Sequence, residues 1–476
     1  MQSPVIDVLG VFLPRRLELS WAHCLGILSA GFVCKVLWGQ YGILRHDKLP
    51  SSDLGWPIIG KTLAVFRMSL EDFGRAVMQG RAVRITNFFF SNVALVSYPV
   101  YQRYLHRLEL DGELTPAWLT STATVLGLRS VLVLPGGRGH ALHKRLRGKI
   151  LSSLAPRPTL ATLPRLLQLV RAALDALAEE TARHGSATFE ETAASLASKA
   201  STMMITAGLS PELQAAVEEQ LDEVFSGLVS LPLDLGRFTA HGRAMIARRK
   251  LTSILRELMD CPNLERQNII RDLAKASEEG AGFSVDEMVD TVFTLLVAGR
   301  LTTSEAMPEI FVRLSAGRDW AARVAREPLE FHSVEEDSAT LRVVRESLRV
   351  RPPAGAYRRV CRDAIDLGEH GRIPPGTPMA VLIGNALKDM GADFDPDRWT
   401  PEASRSDFLA FGGPQPHACI GRHLALLELQ VFARVLCREY DFVAIEPELV
   451  PNPKSPIAKV YKDGLRITIT KKKSAS

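Results

Sequence analysis

Long low-complexity stretches are missing from this 476-residue chain: no Ser/Gly tract, acidic block or internal repeat interrupts it after residue 55. Length alone would suggest two or three domains. With no linker to separate them, the better reading is an N-terminal segment, 1–48, followed by one large body, 49–476. Cysteine is also scarce. Cys24, Cys34, Cys261, Cys361, Cys419 and Cys437 are scattered, with no CxxC pair. That excludes a zinc ribbon or a disulfide scaffold, fits a reducing compartment, and means that any functional cysteine acts alone. Charge excess is small, at +5, which allows a basic face but does not argue for nucleic-acid binding. The run Lys471-Lys472-Lys473 reads as a solvated tail. No flavin, iron–sulfur or dinucleotide signature is present, so any redox chemistry needs electrons from outside.

What the chain does have is apolar content, at 46%, arranged mostly with helical spacing. Trp21 to Tyr41 is largely apolar but is interrupted by His23 and Lys35. A spanning helix needs ~20 apolar residues, so the segment is expected to anchor the chain in a membrane or lie on its surface. A removable targeting segment is the rival, weakened by Asp7 and Glu18. Leu49 to Gly60 (LPSSDLGWPIIG) reads as a hinge into the body.

Helices are expected over Leu163 to His184, stopping at Gly185; from Ser284 onward, where Ser284 and Glu287 have capping-box spacing; from near Ser338; and from Ile420 to near Glu439. Pro308 should kink or weaken the second of these. Strand patterns are fewer: AVRITNFFF, NVALVSY, TPMAVLIG and LRITIT. The sum is a mainly α protein with small β-sheets.

One cysteine stands in a distinctive setting. Phe411-Gly412-Gly413-Pro414-Gln415-Pro416-His417-Ala418 leads into Cys419, and Gly421 follows as a helix begins. A thiol there faces unpaired backbone N–H groups and the positive end of the helix dipole, which favour thiolate. Glycines let backbone amides approach the sulfur.

FGGPQPHACIGRHLALLEL resembles the haem-binding segment of the cytochrome P450 family, FxxGx[R/H]xCxG. Two departures stand out. Phe411 lies eight residues before Cys419 instead of seven, and Gln415 occupies the position of a glycine. Three further segments follow the family's order. Glu346 and Arg349 match its ExxR signature, which taken alone is an ordinary helical ion pair. Phe394-Asp395-Pro396-Asp397-Arg398-Trp399 is similar to the segment whose arginine, here Arg398, completes a triad with ExxR and holds the cysteine loop. Ala298-Gly299-Arg300-Leu301-Thr302-Thr303 resembles [A/G]Gx[D/E]T[T/S], with leucine in the acidic position. His143 and Arg147, one helical turn apart, match a propionate-binding segment that more often carries tryptophan. Asn385 to Phe394 is shorter than the family's usual segment and lacks its His and Pro.

The resemblance implies the cytochrome P450 fold, with a long central helix over the haem, and a haem-thiolate monooxygenase. Cys419 would be the axial iron ligand of haem b, pushing electron density that favours O–O cleavage. His143, Arg147, Arg358 and His417 would hold the propionates. Gly299 would leave space for dioxygen, and Thr302 would orient water and protons. Electrons would come from NADPH through a separate cytochrome P450 reductase, docking on the basic side around Cys419, Arg422 and Arg438. The substrate, a lipophilic isoprenoid, sterol or carotenoid-derived molecule, would reach the haem between Gly112–Leu132, the Val297 stretch and Pro353–Tyr357. LGWPIIG and HxxxR resemble the branch containing sterol, terpenoid, retinoic-acid and plant-hormone hydroxylases. The implied location is the endoplasmic reticulum membrane facing the cytosol, with a plastid as the other option. Leu301 leaves open a hydroperoxide rearrangement or dehydration enzyme working without a reductase. The altered loop and shortened segment leave open a haem-binding protein without catalysis.

Overall fold

A computed structural model describes residues 21–88, 90–206, 209–259, 269–400, 408–451 and 459–473. Cys261 and the charged residues before Trp21 lie outside these. The expected helices form where their end signals stand. The Leu163–His184 helix closes on Gly185, whose φ of 78° is the left-handed conformation that suits glycine. Val285–Ala316, the central helix, opens on a complete capping box between Ser284 and Glu287. It runs 32 residues and continues through Pro308, so the expected break there is not found. The helix Ala339–Val350 is capped by the Ser338 hydroxyl, which accepts from the Leu341 amide at 3.1 Å.

Six short strands form the largest sheet, in the order Ser52–Asp53, Val83–Phe88, Ser91–Ser97, Met379–Leu382, Tyr357–Cys361 and Leu114–Pro116. Val83–Phe88 and Ser91–Ser97 are an antiparallel hairpin, and Met379–Leu382 adds in parallel register, Ala94 opposite Met379. The terminal strand Arg466–Lys471 pairs with Tyr440–Ala444 and Ala187–Thr188.

Two apolar clusters lie along the central helix. Met307, Ile310, Phe311 and Leu314 pack with Phe189, Phe432 and Phe442. Val289, Val292, Phe293 and Leu296 pack with Val125, Leu126, Leu146 and Ile150. The helix is therefore enclosed by protein on most sides, and burying such side chains stabilises it by ~1.5–3 kcal/mol each.

Trp21–Gly42 is a 22-residue helix. No helix among the described residues is long and apolar enough to cross a membrane, so the spanning anchor expected there is corrected. His23 and Lys35 break the apolar run.

Candidate functional site

The ExxR helix places Glu346 and Arg349 side by side in the core, with 0% and 1% of their side chains exposed. Two parallel bonds join them, Arg349 Nε to Oε2 and Nη2 to Oε1, both 2.9 Å. The arginine then donates to the carbonyls of Leu387, Gly391 and Asp393 at 3.0, 2.8 and 2.9 Å. The glutamate accepts from the Asp395 amide and from Trp399 Nε1, each at 2.9 Å. Arg398 completes the group as an ion pair, its Nε 3.7 Å from Glu346 Oε1, while its Nη1 donates to the Met390 carbonyl. The shortened Asn385–Phe394 stretch is thus the seat of this arginine. Trp399, which reads in the sequence as part of a turn, is fully buried. Through it the group reaches the cysteine loop: Trp399 packs on Phe408, Phe408 on Phe411, and the Phe411 carbonyl accepts from the Cys419 amide at 2.9 Å.

The departures in that loop have a structural partner that the sequence reading missed. Gln415 is buried; its Nε2 donates to the Gly412 carbonyl at 2.7 Å and its Oε1 accepts from Arg359 Nη2 at 2.6 Å. Arg359 Nε donates to Glu109 at 2.7 Å, and Glu109 accepts from the Tyr101 hydroxyl at 2.8 Å. A polar side chain therefore fills the place of the glycine, and a buried ion pair holds it.

Around the sulfur, the expected cofactor residues converge. The helix Ala141–Ser153 carries His143 and Arg147. Arg147 Nη1 donates to the Ala418 carbonyl at 2.7 Å, beside Cys419. The His143 and His417 rings lie 4.5 Å apart over Gly136, where a Cβ would approach the His417 ring to 2.6 Å. His417 Nε2 pairs with the Leu134 carbonyl at 2.9 Å. Burial keeps both imidazoles neutral, His143 down to about 4 and His417 down to about 3, with nearby arginines adding to the effect. Arg358 is not joined to this cluster by a hydrogen bond; its neighbour Arg359 reaches the loop instead. Arg358 Nε is buried with no partner, and desolvation lowers its guanidinium to about 10.

Cys419 lies deep among protein atoms, yet its side chain is exposed. Together these place the thiol on an internal space. On the central helix, Leu295, Ala298, Gly299, Leu301, Thr302, Ser304 and Glu305 are partly accessible while Leu296, Val297, Arg300, Thr303 and Ala306 are buried. The spacing of Leu295, Ala298, Gly299, Thr302 and Glu305 is one helical face. The thiol itself differs from expectation. Burial pushes it up, and the Gly421 amide, Arg147 and Arg422 only oppose that. A thiolate there needs a cation facing it.

Thr302 donates back to the Ala298 carbonyl at 3.0 Å, the local bond open to any helical threonine. Gly299 has a nearer neighbour than expected: an added Cβ would meet Ser201 Oγ at 2.3 Å, so the glycine makes room for the helix Phe189–Thr206. Arg422 pairs with Glu335 at 3.0 Å, and Arg438 donates to the carbonyls of Ala325 and Glu327. The basic face is therefore partly committed inside the molecule. Gly112–Leu132 is fastened to the central helix: Thr294 donates to the Leu126 carbonyl at 3.0 Å, and Thr291 accepts from the Val131 amide at 3.2 Å.

The residues fit a haem. An accessible thiol faces an internal space, and the buried Nε of Arg358, which has no partner, is a free donor for a carboxylate.

Comparison with known proteins agrees with that fit. The cytochrome P450 family pattern matches residues 242–463, a span that includes Cys419, ExxR and Thr302 but not His143 or Arg147. Cytochrome P450 90A4 of Oryza sativa subsp. japonica is 27% identical over 95% of each chain. Pentalenene oxygenase of Streptomyces avermitilis is 29% identical over 54% of this chain and 63% of its own length. Among solved structures, the retinoic acid-bound cyanobacterial CYP120A1 superposes with a TM-score of 0.74 at 22% identity, covering 89% of this chain and all of that one.

Proposed function

Because this chain belongs to the cytochrome P450 family of haem-iron monooxygenases, we propose that it hydroxylates a lipophilic isoprenoid, with Cys419 as the iron ligand. The observation that carries this is the Cys419 thiol, enclosed by protein yet open to an internal space. Haem, when bound, supplies the iron at which dioxygen is activated. Arg147, Arg358, His143 and His417 would hold its propionates; the unpaired Nε of Arg358 supports that assignment. Thr302 holds water and passes protons at its hydroxyl. Glu346, Arg349 and Arg398 keep the cysteine loop in place through Trp399.

Support for the substrate class is of two kinds. Partly buried aliphatic residues, Leu132, Leu134, Leu295 and Ile420, pack against the cluster shared by Val125 and Leu126 and by Val292 and Phe293 of the central helix. The names of two relatives mention pentalenene and retinoic acid, both isoprenoids. Electrons come from NADPH through a separate reductase. Membrane association, at the endoplasmic reticulum or a plastid, rests on exposed Phe32, Trp38 and Trp56 near the N-terminus.

The first test is the carbon monoxide difference spectrum of the reduced, haem-loaded protein beside Cys419→Ser. A red-shifted Soret band lost in the variant supports thiolate ligation. An unshifted band in the parent protein overturns it. Soret shifts on titrating retinoic acid and a sesquiterpene then test the substrate class. Leu301 favours a second reading, hydroperoxide rearrangement, and turnover of a fatty acid hydroperoxide without NADPH or reductase would select it.

A further inference from the structure

Leu301 leaves the face of the central helix beside Thr302 without the acid that the family pattern carries. One turn further on stands Glu305, on the same partly accessible stripe as Ala298 and Thr302. Residues three apart on a helix are neighbours, their Cβ atoms ~5–6 Å apart. No hydrogen bond or ion pair joins Glu305 to another described residue, although protein surrounds it. A carboxyl so placed, open to an internal space and committed to nothing, is free to exchange a proton with that space.

Two charged groups act on Glu305 from the elements around it. Arg351, just past the ExxR helix, and Glu71, on the helix Leu70–Met78, act on it with opposite sign. Glu71 Oε2 lies 3.4 Å from Lys388 Nζ, and the lysine side chain is 27% exposed. Arg351 also lies 3.9 Å from Glu309, one turn along the central helix, which is itself paired with Arg313. Burial outweighs these charges and pushes Glu305 up to about 7, where both forms are populated at neutral pH.

We propose that Glu305 is the proton-delivering acid of this enzyme, working one helical turn from Thr302 in place of the side chain that Leu301 displaces. In the relay, the Thr302 hydroxyl leaves its bond to the Ala298 carbonyl and gives its proton into the pocket as its oxygen takes the Glu305 proton, directly or over one water. The carboxylate then regains a proton from water in that space. No electron moves in these steps. The proposal rests on the reading of Thr302 as the proton-handling hydroxyl.

The test needs no substrate. Dithionite-reduced, haem-loaded protein is mixed with dioxygen-saturated buffer, and reoxidation is followed across neutral pH for the parent, E305Q, T302A and E428Q. Infrared difference spectra of the ferric protein, titrated over the same range, follow the carboxylic acid C=O stretch. Since protonated Glu305 is the donor, the parent rate should rise as pH falls through about 7. E305Q and T302A should lose that limb, with E305Q slower by about 10²-fold at its acid end. A carboxyl band titrating near 7 should vanish in E305Q and persist in E428Q. If T302A loses the limb but E305Q keeps it, the proposal fails and Thr302 stands. If both keep it, the Thr302 reading falls as well. Absence of a Glu305 band also overturns the proposal. Should E305Q not load haem, E305D decides: a displaced midpoint supports the relay and an unmoved one overturns it.

Discussion

Consider replacing both Glu346 and Arg349 by apolar residues of similar volume, E346L/R349M. For many buried ion pairs such a double replacement is neutral or stabilising, because two desolvated charges are removed together. Here the outcome should be the reverse. The carboxylate also accepts from Trp399 Nε1 and the Asp395 amide, and the guanidinium also serves three carbonyls. Two of those bonds, to Trp399 and to the Leu387 carbonyl, are fully buried. Orphaning a buried polar group costs about 1–3 kcal/mol. The double variant should therefore lose about 2–6 kcal/mol, against a gain of about 1–4 kcal/mol where only a pair is replaced. Each single variant should lose about 3–5 kcal/mol by leaving one buried charge unpaired. Urea denaturation followed by tryptophan fluorescence gives the comparison directly, because Trp399 sits in the network. Haem content by the carbon monoxide band is read in parallel. A double variant at least as stable as the parent would show that the pair acts alone and that the carbonyl bonds contribute nothing.

Three shorter expectations accompany it. R358M removes a guanidinium whose buried Nε has no partner, so haem-free protein should melt higher while haem passes to apomyoglobin about 10-fold faster, the loss of one charge-assisted bond. Q415A strips Arg359 of its loop partner and should cost about 1–3 kcal/mol in urea. It should also convert part of the carbon monoxide band to the unshifted form, although Gln415 is not placed on the haem. Glu428, fully enclosed and helped only by Thr303, is pushed up by burial to about 8 from an ordinary 4.5. Its contribution is whole below about 4.5 and is lost as pH rises toward about 8. Relative to the parent, E428Q should gain stability over that interval and stay level above it, as read from urea midpoints against pH. A difference that does not change with pH would contradict the burial argument.

Local signals were legible in the sequence. The Ser284–Glu287 box and the Gly185 stop are written within a few residues of the ends they determine, and the helices begin and end there. Pro308 misled because packing of Met307, Ile310 and Phe311 into the core holds the helix through it. The pairing of Glu346 with Arg349 could be read from spacing. The role of Trp399 could not, since its indole bond crosses 53 residues. Gln415 was visible as a departure, but its partner Arg359 is 56 residues away, and Glu109 is another 250 from Arg359. Glu305 is legible from helical period alone, which places it on the Thr302 face.

The extra residue before Cys419 has an implication for transplanting the loop. Gln415 grips Gly412 on one side and the Arg359–Glu109–Tyr101 series on the other, so the loop's length and its anchor form one inherited unit. Moved alone into a relative with the shorter loop, FGGPQPHAC would keep the Gln415–Gly412 bond but leave the buried Gln415 Oε1 without its arginine donor. Only a graft that brings Arg359 and Glu109 along should keep the cysteine where this protein holds it.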